Sequence, residues 1–311
     1  MTELERAIRS QPGELRRVAG LDVGEAADRL AGCSRVWLVG TGTSWHAAEL
    51  GAAMLSRAGV DAHGVASMEF ARRAPVRDGD GLIVISHTGE TAYARAARAA
   101  ALEAGAPLVS ITAEGVGWPE AIEAGPRERS ETYTASYTAA LGVLALLAGL
   151  QPGALVEAAG ALEAALEAPG IEDVPEPERL LVLVGAGPCA VTAREGALKL
   201  REAARVAAEG YDAEYLLHGS AVPLDGRDAL VAVGGDEDGL VAGLAGAARA
   251  EGVAVASLGD DSLSDPLLAQ IPLTARLQLL ALRRAEAGGH DPDTVITGAW
   301  AAKPLWETGA P

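Results

Sequence analysis

Two short stretches carry residue types that can hold an anion without a basic side chain. Thr41-Gly42-Thr43-Ser44 follows the apolar run ending at Val39-Gly40, and Ser86-His87-Thr88-Gly89-Glu90-Thr91 follows Ile83-Val84-Ile85. Each leads into an alanine-rich helical stretch. Hydroxyls and backbone N–H groups at a helix N-terminus suit a phosphate or a similar anion. Ordinary helix capping explains a single turn of this kind. Two such turns, each at the end of a predicted strand, leave the anion reading and the capping reading both open. A third stretch, Glu195-Gly-Ala-Leu-Lys199-Leu-Arg-Glu202, spaces Glu195, Lys199 and Glu202 at i, i+4 and i+7, hence on one helix face. Its plain reading is a solvated, salt-bridged face. The lysine speaks against that: of 25 basic residues only Lys199 and Lys303 are lysines. His218, followed by Gly219, fits a loop from which it could approach a ligand.

The elements that position these residues read as an internal repeat. Leu38-Val39-Gly40-Thr41-Gly42 recurs as Leu183-Val184-Gly185-Ala186-Gly187, an offset of 145. Leu82-Ile83-Val84-Ile85 parallels Ala229-Leu230-Val231-Ala232, and Leu108-Val109-Ser110 parallels Val255-Ala256-Ser257, each at an offset of 147. Short continuous apolar runs suit strands buried on both faces, and their alternation with helical stretches implies βαβ crossovers. The expectation is an α/β protein of two tandem doubly wound, flavodoxin-like parallel-sheet domains, each a three-layer αβα stack. The first thirty residues read as helices leading into the first strand. The proline- and acid-rich stretch from Ala168 to Glu178 marks the boundary, giving domains 1–168 and 169–311. The second half's counterpart of the Ser86 turn, Gly234-Gly235-Asp236-Glu237, carries acids that would repel phosphate.

Composition removes several classes of function. Forty-three acidic residues against 25 basic ones give a net charge of −18, which disfavours a nucleic-acid partner. The longest apolar run, Ala139 to Leu150, is too short to span a bilayer, and the charged N-terminus does not read as a signal peptide. Cys33 and Cys189 lie far apart without zinc-ligand spacing, and the five histidines form no local cluster, so neither a metal nor another cofactor is expected. The expectation is a cytoplasmic protein with reduced, buried, non-catalytic thiols. His63 and His290 are expected at the surface, Trp118 and Trp306 in packing, and His46 as an orienting residue in the first turn of its helix.

From about Val36 to Asp293 the chain resembles the SIS (sugar isomerase) domain family, most closely the two-domain isomerase part of the glucosamine-6-phosphate synthases. The strongest stretch is Glu195 to Glu202, continuing through Ala208-Glu209, Tyr211, Glu214 and His218-Gly219. The resemblance implies a sugar-phosphate pocket lined by Thr43 and Ser44, a phosphate loop with Ser86, His87, Thr88 and Thr91, and substrate contacts from Thr134 and Ser136. It implies Glu202 as the base that moves a proton between C1 and C2, Lys199 beside it, and His218 as the ring-opening group. In the family that histidine arrives from the neighbouring subunit, so a homodimer sharing its active site is implied. A carboxylate can shuttle a proton between adjacent carbons, a nearby cation favours enediolate charge, and histidine titrates in the range that ring opening needs.

The chain also departs from the family. His87 replaces a glutamine, Thr88 a serine and Thr138 a lysine; Ser220 stands where proline follows the His-Gly pair. Asp291-Pro292-Asp293 matches the tail motif, but Trp300 occupies the position of the tail lysine, with Lys303 three residues on. Thr2 replaces the glutaminase nucleophile, so glutamine-dependent activity is not expected of this chain. The leading expectation is a phosphosugar aldose–ketose isomerase, or an amino-sugar-6-phosphate isomerase or deaminase. The alternative is a phosphosugar sensor without turnover. A dinucleotide enzyme rests only on Gly185-Ala-Gly187-Pro-Cys-Ala190, a short match to the GxGxxA pattern.

Overall fold

In a computed structural model, described for residues 1–73, 76–235 and 238–309, the chain is an α/β protein with two all-parallel sheets. It divides into two compact units: Ser10–Ala159 with Ile296–Pro311, and Met1–Arg9 with Gly160–Val295. Relative to a division at 168, the two ends of the chain change places. The amino end has a visible cause. The carboxylate of Asp293 accepts the backbone N–H groups of Glu3 at 2.9 Å and Leu4 at 2.7 Å, capping the first helix.

The elements run α1 (Glu3–Ala19), α2 (Gly24–Leu30), β1 (Arg35–Gly40), α3 (Thr43–Arg57), β2 (Ala62–Ala66), α4 (Ser67–Arg73), β3 (Asp80–Ile85), α5 (Ala92–Glu103), β4 (Leu108–Ala113), β5 (Ala121–Gly125), α6 (Ala135–Leu147) and α7 (Pro152–Glu167). They continue through β6 (Leu181–Gly185), α8 (Pro188–Ala204), β7 (Ala208–Asp212), α9 (Ala213–Tyr215), a wide π-turn over Leu216–Ser220, β8 (Ala229–Val233), α10 (Leu240–Ala250), β9 (Ala254–Leu258) and α11 (Gln270–Gly288). A 3-10 turn (Gly298–Ala301) and α12 (Lys303–Glu307) end the chain. The stretches paired by the sequence offsets fall on β1 and β6, β3 and β8, and β4 and β9.

The first sheet has the order β2-β1-β3-β4-β5 and the second β7-β6-β8-β9. Strands β3 and β4 are buried along their whole length, as their unbroken apolar runs require. Val39, Leu82, Val84 and Leu108 pack against Phe70 of α4 and Ala94, Ala97 and Ala101 of α5. In the second sheet, alternate strand residues serve opposite layers. Leu181, Leu183 and Val231 join Leu200 of α8 and Leu277 of α11, while Val182, Val184 and Leu230 join Val241 and Leu244 of α10. Helix α6 is buried almost throughout, which accounts for its apolar run. Among the described residues no helix is long and apolar enough to cross a membrane.

Each sheet carries an acid–arginine clamp at the amino end of its central strands. Asp80, at the start of β3, accepts from Arg35 at 2.8 Å, Trp37 Nε1 at 3.3 Å and the Arg77 N–H at 3.0 Å. Asp228, next to β8, accepts from Arg179 at 2.8 Å and the Asp225 N–H at 2.9 Å, and the Arg179 bond draws its carboxyl below the usual range. Removing a buried carboxylate with this many donors strands all of them. The variant Asp80→Ala is expected to lose on the order of 3 kcal/mol of stability in urea unfolding; an unchanged midpoint would contradict the clamp.

Candidate active site

In an open parallel sheet, ligands meet the protein beyond the carboxyl ends of the strands, where the strand order reverses. In the first sheet that point lies between β1 and β3, which pair directly from Arg35↔Asp80 to Val39↔Val84. The turns expected to hold an anion follow these two strands. Gly42 caps α3 with φ 54° and ψ −129°, and Gly187 caps α8 with φ 53° and ψ −126°. Thr43 is the first residue of α3, and the Ser44 N–H closes the turn onto the Thr41 carbonyl at 3.1 Å.

The second turn crosses from β3 to α5. Thr91 caps α5 without a side-chain capping bond, so the ordinary capping reading of this hydroxyl does not hold. Thr88 Oγ1 accepts the Glu90 N–H at 3.2 Å and rounds the loop. Gly89 has φ +69°, and a β-carbon there would meet Val116 Cγ1 at 2.5 Å and Trp118 at 3.3 Å, so only glycine fits. Trp118, expected in packing, thus backs the loop, with the Arg98 guanidinium 4.6 Å from its ring centre. Ser86 is 3% exposed, and its hydroxyl has no hydrogen-bond partner among the described residues. A buried hydroxyl in a turn of this kind can both donate and accept a hydrogen bond.

The structure joins this loop to the segment leading into α6. His87 Nε2 accepts the Glu128 N–H at 3.0 Å, and its ring lies 5.1 Å from that of Tyr133. Burial holds the His87 imidazole below its ordinary pKa, against the opposing effect of Glu128. Glu128, which sequence reasoning missed, turns its carboxylate onto the N-terminus of α6. It accepts from Ser136 N at 2.8 Å, Thr134 N at 3.1 Å, and Ala135 N and Thr134 Oγ1 at 3.3 Å. Thr134 and Ser136 therefore stand at a helix start that the Glu128 carboxylate caps.

Lys199, Glu202 and His218 belong to the other unit. Lys199 and Glu195 have no exposed side-chain surface, which overturns the solvated-face reading. The Lys199 ammonium lies 2.6 Å from Glu202 and 3.5 Å from Glu195. Glu202 keeps 21% of its side chain accessible, so this member of a buried ion pair partly faces outward. His218 is separate from this group. It lies in the wide turn, leaves helical geometry with Gly219, is 73% exposed and sits 4.0 Å from Glu214.

Other expectations need correction or fall outside view. Cys33 and Cys189 are partly exposed rather than buried, although desolvation raises both thiols. Trp306 is exposed rather than packed, and its Nε1 donates to the Trp300 carbonyl at 2.7 Å. Trp300 and Lys303 are both exposed, and Lys303 pairs with Glu307 at 3.2 Å. His46 is buried beside the Trp45 ring, and His63 and His290 are exposed. Asp236 and Glu237 lie outside the described residues. Among those described, no group of three His, Cys, Asp or Glu side chains is arranged to hold a metal ion.

Comparison with known proteins agrees with this architecture. Residues 29–116 match the SIS domain model. The glutamine–fructose-6-phosphate aminotransferase [isomerizing] of Caulobacter vibrioides is 27% identical over 350 residues, covering 93% of this chain and 57% of that protein. The C-terminal domain of the glucosamine-fructose-6-phosphate aminotransferase of Francisella tularensis superposes with a TM-score of 0.77 at 22% identity, covering 94% of this chain and 98% of that one. A glucosamine-6-phosphate deaminase of Thermotoga maritima gives 0.78 at 19% identity, covering 94% and 97%. The chain carries a SIS domain and is homologous to the isomerase, C-terminal part of glutamine–fructose-6-phosphate aminotransferase. It spans about half the length of the curated relatives it matches.

Because the Ser86 hydroxyl is buried without a partner, deleting it removes an unmet desolvation cost. The variant Ser86→Ala is expected to gain about 1 kcal/mol of ligand-free stability in urea unfolding. A loss of stability would mean that the hydroxyl is satisfied.

Proposed function

We propose that this chain binds a sugar phosphate through the Ser86–Thr91 loop and the turn at Thr43 and Ser44, and isomerises it through an enediol with Glu202 as base. The Lys199–Glu202 pair carries the reading: a partly accessible carboxylate lies 2.6 Å from an ammonium that is wholly withdrawn from solvent. For a ketose phosphate, Glu202 takes a proton from C1, the electron pair forms the C1–C2 double bond, and the carbonyl oxygen at C2 gathers negative charge. The Glu202 carboxyl returns its proton to C2, while the hydroxyl proton passes from O1 to O2, giving the aldose. The Lys199 ammonium offsets the charge that develops at the site.

His218 fits the opening of the sugar ring from a second copy of the chain. Its exposure, among the exposed apolar side chains of Tyr215, Leu217 and Val222, supports a loop that inserts into a partner. On this reading the protein is a homodimer with a shared site. An amino-sugar phosphate is the other substrate class that the same base serves, with water entering and ammonia leaving when the reaction is a deamination.

The test is incorporation of deuterium from D₂O into C1 or C2 of fructose 6-phosphate or glucosamine 6-phosphate, followed by NMR. Wild-type protein should catalyse the exchange, and Glu202→Gln should slow it by about a thousandfold, the scale of losing a general base. Tight binding without exchange would instead make the chain a phosphosugar sensor.

A further inference from the structure

The side chain of His87 leaves its own loop and grips another. Its Nε2 accepts the Glu128 N–H at 3.0 Å, while its carbonyl accepts the Ala113 N–H at 2.9 Å from the end of β4. Glu128 then holds the first N–H groups of α6 through its carboxylate. A continuous series of contacts therefore runs from the Ser86–Thr91 loop, through one imidazole, to the start of α6. An imidazole that accepts at Nε2 is neutral and carries its proton on Nδ1. Protonating Nε2 would set two N–H donors against each other and break the connection.

We infer that His87 is a positioning residue whose neutral ring latches the Glu128–Ser136 segment to the Ser86–Thr91 loop, so that phosphosugar affinity falls when the ring takes up a proton. The inference rests on the phosphate-loop reading proposed above. The groups around the ring are accounted for. The Glu128 carboxylate favours the imidazolium, and the Arg127 guanidinium, which is paired with Glu90 at 2.9 Å, opposes it. Tyr133 packs against the ring, and burial raises its hydroxyl, so it stays neutral. Burial outweighs these charges and keeps the ring neutral at pH 7.

Replacement by glutamine separates the latch from the charge. In His87→Gln the new amide oxygen can accept the same N–H, and the side chain does not titrate. The affinity of the chain for fructose 6-phosphate would be measured by calorimetry from pH 5 to pH 8 for wild type, His87→Gln and His87→Ala. The His87→Gln profile reports the ionisation of the sugar phosphate itself. The ratio of wild-type to His87→Gln affinity should fall on the order of fivefold between pH 7 and pH 5. His87→Ala should bind about tenfold more weakly than wild type at pH 7, the loss of one well-made contact.

A ligand-free readout keeps the latch distinct from the phosphosugar reading. Hydrogen exchange at the Glu128 amide should be slow in wild type and His87→Gln at pH 7, and on the order of tenfold faster in His87→Ala. Coincident wild-type and His87→Gln affinity profiles would overturn the inference. So would a wild-type affinity that rises above that of His87→Gln on acidification, because the imidazolium would then be attracting the phosphate directly. An unprotected Glu128 amide in wild type would overturn the latch itself. If wild type fails to bind at pH 7 while that amide stays protected, the phosphate-loop reading fails and the affinity claim falls with it.

Discussion

A β-carbon on Gly40 would lie 2.4 Å from the carbonyl carbon and oxygen of Ser44, so strand β1 runs into helix α3 with no room for a side chain at the junction. Only Thr41 and Gly42 separate the two elements. This contact fixes where the first turn of α3 points, and with it Thr43 and Ser44. The neighbouring strands β3 and β4 are buried from end to end and cannot slide in register without exposing apolar surface. The Ser86–Thr91 loop is therefore held at a set distance from the α3 turn. Two helix N-termini, two hydroxyl-bearing turns and the buried Ser86 hydroxyl follow from that backbone arrangement. On the proposed reading, N–H dipoles and hydroxyls at these turns would supply the attraction for a phosphate in an acidic chain.

The other unit solves a different electrostatic problem. An ammonium without solvent is costly unless carboxylates surround it, and Lys199 has Glu195 and Glu202 within reach. The pair therefore demands that α8 stay helical over its last two turns, since the spacing of the three residues depends on it. Glu202 is the member that keeps access to solvent. The 2.6 Å contact with Lys199 restricts the rotamers open to this carboxylate.

How much of this was legible in the sequence varies with the range of the contact. The buried strands of both sheets and the turns after β1 and β3 announced themselves through unbroken apolar runs ending in Gly, Ser and Thr. The burial of Lys199 did not, because i, i+4, i+7 spacing is the same on a solvated face as on a buried one. The scarcity of lysine was the only hint. Glu128 was invisible for a related reason: its carboxylate reaches six to eight residues ahead to Thr134 and Ser136, through a loop with no periodic signal. The exchange of chain ends between the compact units depends on such contacts as Asp293 with Glu3 and Leu4, which bridge nearly the whole sequence. Trp306 departs from expectation because aromatic residues usually pack, whereas here the indole N–H bonds the Trp300 carbonyl at an exposed tail.

The Ser86–Thr91 loop as an anion site is the claim on which most else depends. Its most direct test is a ³¹P NMR titration of fructose 6-phosphate with wild type and with Ser86→Ala. The expected result is a shifted or broadened phosphate resonance that saturates with wild type and requires on the order of tenfold more protein with Ser86→Ala, the cost of one hydrogen bond to a charged group. Equal titration curves for the two proteins would contradict the claim.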